Sequence, residues 1–295
     1  MAAIAKSSGT FKSFDGTEIY YEVRGEGEPI VLVYGIACLI NHWHFQIEYL
    51  SKHYKVIAFD LRAHHKSGVP KDKSQITIDA IAKDLPFLLR ELGLQKAHFV
   101  GHSFGAPVLL RAYEQTPEIF KSISFVNGFA KNPIKGMFGL DVVEPLFYFL
   151  KAQYEKNPAL WDQLWRLAAD NPLTMLGTGL LGGFNLKLTQ LKDIQIYLHG
   201  VGQMTLGAFI PFFEEMIKFS GEPIAAKIKI PTLIISGEKD MVTPQKFQDE
   251  LHELIKGSQF ARIPYGSHCT QLDFPEYVNL KLETFFEELA TENPG

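Results

Sequence analysis

Residues 97–105 read Ala-His-Phe-Val-Gly-His-Ser-Phe-Gly (AHFVGHSFG). The first four are a short apolar β-type run. Gly101-His102-Ser103-Phe104-Gly105 then forms a tight turn, and an apolar-periodic helical stretch follows to Gln115. Strand, G-x-S-x-G and helix in this order are the context of a nucleophile elbow, in which a serine hydroxyl projects above the end of a parallel strand. Such a turn crowds the backbone, so glycines are needed on either side of the serine. Ser103 is therefore the candidate nucleophile. The N–H of Phe104, at the start of the following helix, is placed to face a developing oxyanion.

A serine hydroxyl is a weak nucleophile without a base, and the base needs an orienting carboxylate. On an elbow scaffold the chain order is serine, acid, histidine. Residues 231–240 (PTLIISGEKD) read as a buried strand and a turn ending in Asp240, the candidate acid, with Glu238 a local rival. Residues 264–274 (PYGSHCTQLDF) follow the last strand run and precede the last helix. His268 in this Gly-containing loop is the candidate base. All three residues are predicted at carboxyl ends of strands, where open α/β sheets place their sites.

Working outward, strand runs are predicted at 18–24, 30–34, 54–59, 97–100, 122–126, 232–236 and 259–263, interleaved with helical patterns at 41–52, 76–92, 104–115 and 275–291. Pro86 is expected to kink the second of these helices. Alternation of this kind predicts a mostly parallel sheet covered on both faces, with an antiparallel edge from the early strands. From residue 128 to 220 the strand runs stop and helical stretches take over at 142–156, 158–169, 186–199 and 205–219. That division gives an α/β core of residues 1–127 and 221–295, with a helical cap of residues 128–220 inserted after the sixth of eight strands.

These residues together resemble the α/β-hydrolase fold superfamily, in its branch of small capped serine esterases and lactonases. The resemblance runs from about Phe11 to Leu289. It rests on the GHSFG elbow, the SGEKD turn, the GSHCTQLDFP loop and Asp60–Ser67 (DLRAHHKS), which is similar to the family's D-x-R-G-H-G-x-S segment. It implies a triad of Ser103, Asp240 and His268. It also implies a second oxyanion donor, the backbone N–H of Ile36. Tyr34 stands where the family usually has histidine, and is either a packed aromatic or a hydroxyl reaching substrate. Ala63 and His65 replace two family glycines, which predicts a stiffer or rerouted loop. A dehalogenase or epoxide hydrolase of this fold carries aspartate at the nucleophile position, and Ser103 departs from that pattern. Ring-fission C–C hydrolases usually have asparagine where His102 stands.

The 295 residues are 46% apolar and 21% charged with a net charge of −4, a folded-protein composition with no electrostatic footprint for nucleic acid. Neither a signal-peptide core nor an 18-residue apolar run is present, which predicts a cytoplasmic chain without a membrane span. Two cysteines make no disulfide framework. His42 and His44, at i and i+2, do not share a helical face, and no phosphate loop or metal-ligand motif is found, so neither cofactor nor metal is expected. Cys38 and Cys269 are expected at the edge of the site. The apolar residues of the cap, Phe138, Phe147 and Leu180 among them, predict a hydrophobic pocket. Glycines 177, 179, 182 and 183 predict a gating segment. The expected activity is hydrolysis of carboxylic esters with apolar, short-to-medium acyl or alkyl groups, by a monomer or homodimer. A lactonase, a C–C bond hydrolase and a slow-turnover receptor for a small lactone are the alternatives.

Overall fold

The computed structural model describes residues 6–292 except 140, 170, 172, 175 and 178–182. Eight strands form one sheet: β1 Lys6–Lys12, β2 Glu18–Arg24, β3 Glu28–Val33, β4 Tyr54–Phe59, β5 Ala97–His102, β6 Phe120–Val126, β7 Thr232–Gly237 and β8 Gln259–Ile263. Their spatial order is β1-β2-β4-β3-β5-β6-β7-β8. The pairs β1–β2 and β2–β4 are antiparallel and the rest are parallel. Every residue of β5 and of β7 is buried, as strands covered on both faces require. β2 is an edge-region strand that alternates instead, with Ile19 and Val23 inward. β1 is a polar segment in which only Phe11 is buried, and it joins the sheet by pairing with β2.

The helices around the parallel strands are α1 His44–Leu50, α2 Ile78–Glu91, α3 Gly105–Gln115, α9 Lys246–Leu254, α10 Thr270–Asp273 and α11 Pro275–Glu292. α1 is shorter than expected because Ile40–Trp43 forms a 3-10 turn ahead of it. α2 opens on Thr77, whose hydroxyl accepts the Ala80 N–H, and it continues as one helix through Pro86. Between β6 and β7 run α4 Val143–Lys156, α5 Pro158–Ala169, α6 Leu191–Gln203, α7 Leu206–Lys218 and the short α8 Glu222–Ala225. Phe212 on α7 packs on Phe104 and His64, which seats this helical insertion on the carboxyl ends of β4 and β5. Among the described residues no helix is long and apolar enough to cross a membrane.

One ion pair is buried beneath this layer. Arg62 Nε and Nη2 donate to the two oxygens of Asp84 at 2.8 and 2.5 Å, and Ser13 Oγ donates to the same carboxylate. Both charged side chains are fully buried. Asp84→Ala would leave the guanidinium with Asp15 alone as a carboxylate partner, so it is expected to cost about 3–5 kcal/mol. Urea unfolding followed by circular dichroism reads this directly. A loss below about 1 kcal/mol, the scale of an exposed pair, would show that the pair is not holding the loop to α2.

Candidate active site

Ser103 lies between the last residue of β5 and the first turn of α3, with φ 52°. A left-handed conformation is costly for a residue with a Cβ and persists only where the surroundings enforce it. Here they do. Ser103 N–H donates to Val126 O at 3.1 Å, and Ser103 O accepts from Ala106 N at 2.9 Å. The two glycines are required by space. A Cβ on Gly105 would lie 2.4 Å from Val33 O, and one on Gly101 would lie 3.0 Å from the Gly105 backbone.

His268 Nε2 is 2.9 Å from Ser103 Oγ, and His268 Nδ1 is 2.9 Å from Asp240 Oδ2. With a carboxylate at Nδ1, that nitrogen carries the proton and Nε2 presents its lone pair to the serine hydroxyl. Asp240 is fixed in turn. Its Oδ1 accepts the N–H groups of Val242 and Thr243, each at 2.8 Å, and its Oδ2 accepts from Thr243 Oγ1 at 2.7 Å. Glu238 is directed elsewhere: it is exposed, and it pairs with Lys239 and the Tyr265 N–H. A hydroxyl, a lone-pair nitrogen and a buried carboxylate in this line are equipped to remove the serine proton and stabilise the resulting imidazolium.

Several residues that hold this line carried no signal in the sequence. Asn127 sits just past β6 with φ 48°. Its Nδ2 donates to Ser267 O and His268 O at 2.9 and 2.6 Å, and its Oδ1 accepts from Gly237 N at 2.7 Å. His102 Nε2–H donates to the same His268 carbonyl at 2.9 Å. Thr243 Oγ1 also lies 3.2 Å from His268 Nδ1. Asp273 accepts from Ser267 N at 2.6 Å and from the Thr189 hydroxyl, which ties the histidine loop to the insertion. A motif reading finds reactive groups and passes over the amides and hydroxyls that hold main chain.

The loop after β3 carries Ile36. The N–H groups of Ile36 and Phe104 make no hydrogen bond to a described residue. A Cβ on Gly35 would lie 3.2 Å from Ser103 Cβ, so this loop passes directly beside Ser103. The 60–68 segment braces it. Ala37 N–H donates to His64 Nε2 at 3.2 Å, and His65 Nε2–H donates to Cys38 O at 2.7 Å. Ala63 and His65 keep left-handed φ values of 58° and 42°. Both residues therefore hold the left-handed conformation that glycine would favour. His65 adds a grip on the loop that carries Ile36, which glycine would lack.

A cavity of about 500 Å³ opens over Ser103 and His268, lined mainly by apolar side chains. Met137, Phe138 and Val143 form one wall, and Phe209, Phe213 and Met216 of α7 another. Cys38 and Cys269 both line it, buried as expected. Burial pushes the Cys38 thiol up to about 12.

Two pocket expectations are corrected. Tyr34 is fully buried beneath the cavity, where its hydroxyl donates to Asp60 Oδ1 at 3.1 Å and accepts the Leu61 N–H at 2.9 Å. It pins two loops together and does not reach the cavity. Phe147 stands one layer back, packed against Phe213 with ring centroids 4.8 Å apart and the rings tilted by 35°, and lines a separate groove between α4, α5 and α7. Leu180 lies outside the described residues, as do residues 178 and 181 and glycines 179 and 182 of the expected gating segment. Gly183 is described: its carbonyl accepts the Cys269 N–H at 3.2 Å.

An eight-stranded, mostly parallel sheet with this elbow and this histidine loop is the α/β-hydrolase architecture. A family model described as the alpha/beta hydrolase fold matches residues 28–275, and the chain belongs to that family. Among curated proteins it is 26% identical over 274 residues to "Putative carbamate hydrolase RutD" of Azorhizobium caulinodans, covering 92% of this chain and 96% of that one. It is 23% identical over 304 residues to bifunctional epoxide hydrolase 2 of Sus scrofa, covering 95% of this chain and 55% of that longer protein. Among solved structures, an esterase from Exiguobacterium antarcticum superposes with a TM-score of 0.76 at 20% identity, covering 94% of this chain and 98% of that one. At that identity the likeness speaks for the fold alone.

Proposed function

We propose that the chain is a serine hydrolase that cleaves carboxylic esters bearing an apolar, short-to-medium acyl or alkyl group. The single observation that carries this reading is the unbroken line Ser103 Oγ, His268 Nε2, His268 Nδ1, Asp240 Oδ2, with both contacts at 2.9 Å, opening into an apolar cavity. Ser103 Oγ attacks the carbonyl carbon as its proton passes to His268 Nε2. The tetrahedral oxyanion forms against the N–H groups of Phe104 and Ile36. The C–O bond to the alcohol breaks as His268 returns the proton to the leaving oxygen. Water, deprotonated by His268, then releases the acid from Ser103.

The choice of ester over epoxide rests on the nucleophile. Opening an epoxide through an enzyme ester uses a carboxylate to form that ester, and at the elbow this chain has a serine. The choice of ester over carbamate or amide rests on the cavity. A substrate N–H buried against a mainly apolar wall without an acceptor costs about 1–3 kcal/mol, whereas an ester brings no such donor. A lactone presents the same carbonyl in a ring. Residues 128–220 act in this reading as a cap whose helices supply the apolar walls.

The test is steady-state hydrolysis of nitrophenyl esters from acetate to laurate, alongside a set of aliphatic lactones and nitrophenyl carbamates. Turnover that rises with acyl length to an optimum, and exceeds turnover of the matched carbamates, is the expected result. Carbamates turned over faster than every ester would overturn the ester reading. A single stoichiometric burst with every compound would move the function to a receptor.

A further inference from the structure

Three buried donor atoms beside Ser103 are used by no step of that chemistry. Cys38 Sγ and one ring nitrogen each of His42 and His102 lie within 4.8 Å of one another. All three residues are buried, and the two imidazole rings face each other with centroids 4.9 Å apart. His102 spends its Nε2–H on His268 O, so its Nδ1 holds a lone pair, and that atom is buried without a partner among the described residues. Among the described residues His42 Nε2 is likewise buried without a partner. The position a Cβ on Gly35 would take lies 3.2 Å from His102 Nδ1 and 3.3 Å from Cys38 Sγ, so these two donors converge over the same glycine. A buried polar atom left unpaired costs about 1–3 kcal/mol, and this cluster leaves two such atoms side by side.

We propose that Cys38, His42 and His102 form a Zn²⁺ site against the wall of the cavity, and that its occupation silences the hydrolase. A thiolate with two imidazoles is a donor set for a borderline cation such as zinc and a poor one for magnesium or calcium, which prefer oxygen. Zinc takes sulfur at about 2.3 Å and nitrogen at about 2.0–2.1 Å, so the three side chains close on the ion by shifts of about 1 Å. The thiol proton leaves to solvent as the Zn–S bond forms. Cys38 and His102 both line the cavity, so the fourth tetrahedral position opens into it and takes a water. That water and its ion occupy the space next to Ser103, and the bond to Cys38 pulls on the loop that carries the Ile36 N–H. The metal site stands without the hydrolase reading, whereas the silencing rests on it.

The experiment uses the full chain stripped with a chelator. Zn²⁺ is added in a chelator-buffered series, with bound metal measured by equilibrium dialysis and ester turnover measured in parallel. Co²⁺ is added separately as a spectroscopic probe. One ion per chain is expected, with a thiolate-to-cobalt charge-transfer band that Cys38→Ser abolishes. In Cys38→Ser and in His42→Gln the zinc Kd is expected to rise at least about 100-fold, the upper end of what loss of even an outer partner costs. Turnover falls in step with occupancy and returns when chelator is added. No uptake, meaning that an ordered water alone satisfies the two nitrogens, overturns the site. So does uptake with no thiolate band, or with the same Kd in both variants. Stoichiometric uptake that leaves turnover unchanged overturns the silencing. The binding measurements need no turnover, so they read the same whether or not the ester assignment holds.

Discussion

Ser103→Ala is expected to lower turnover of the best nitrophenyl ester on the order of 10⁶-fold, the scale at which loss of a triad serine leaves only oxyanion donors and binding at work. The substitution removes one oxygen from a left-handed position that alanine tolerates no worse than serine, and the two main-chain hydrogen bonds of residue 103 remain. Thermal unfolding therefore stays close to wild type, which separates lost chemistry from lost structure. KM is expected to change far less than kcat, because the hydroxyl acts in the transition state. Retention of more than about 1% of the wild-type turnover in a folded protein would remove Ser103 from the role of nucleophile, since the remaining triad members alone sustain far less.

Asp240→Asn is expected to cost about 10⁴-fold in kcat, and the hydrogen bonds around it say why. Oδ1 of Asp240 receives two backbone N–H groups at 2.8 Å. An asparagine must place its carbonyl there, which turns its NH₂ toward His268 Nδ1. The imidazole then accepts at Nδ1 and carries its proton on Nε2, so it offers Ser103 a hydrogen where a lone pair is needed. Shape and volume are unchanged, so stability is little affected. Glu238→Gln is the control and is expected to behave as wild type, because Glu238 is exposed and engaged with Lys239 and Tyr265. An active Asp240→Asn beside an inactive Glu238→Gln would reverse the assignment of the acid.

The buried parallel strands, and the places of Ser103, Asp240 and His268 at their carboxyl ends, were legible because each depends on a short local pattern. The buried runs IVLVY and TLIIS read as parallel strands, and G-x-S-x-G between strand and helix admits one backbone path. β1 was not legible: KSSGTFK places a single apolar side chain inward, and the segment is a strand only because β2 offers it an edge. α9 was missed for a similar reason, since KFQDELHEL buries Phe247, Gln248 and Leu251 and shows solvent the rest. α6 begins later than its periodicity implied because Asn185 and Thr189 are held by Asp273 and Tyr265 across the chain, which keeps 185–190 out of the helix. The pocket was the least legible part. Apolar character marks Phe147 and Phe138 alike, and only packing decides that one faces the cavity and the other backs Phe213. The cluster of Cys38, His42 and His102 joins a loop, a 3-10 turn and the elbow, and the H-x-H spacing gave no hint of it.

His102 touches no reacting atom, yet it couples two parts that do. It adjoins Ser103 in the chain, and its imidazole donates to the carbonyl of His268, which Asn127 grips as well. Ser103 and His268 are thus joined twice, once through their side chains and once through a main-chain tether. A displacement of the histidine loop would therefore pull on the residue beside Ser103 as well as on His268. The same loop is moored to the helical insertion through Asp273, which accepts from Ser267 N and from the Thr189 hydroxyl, so the Ser103–His268 pair and the cavity wall share one anchorage.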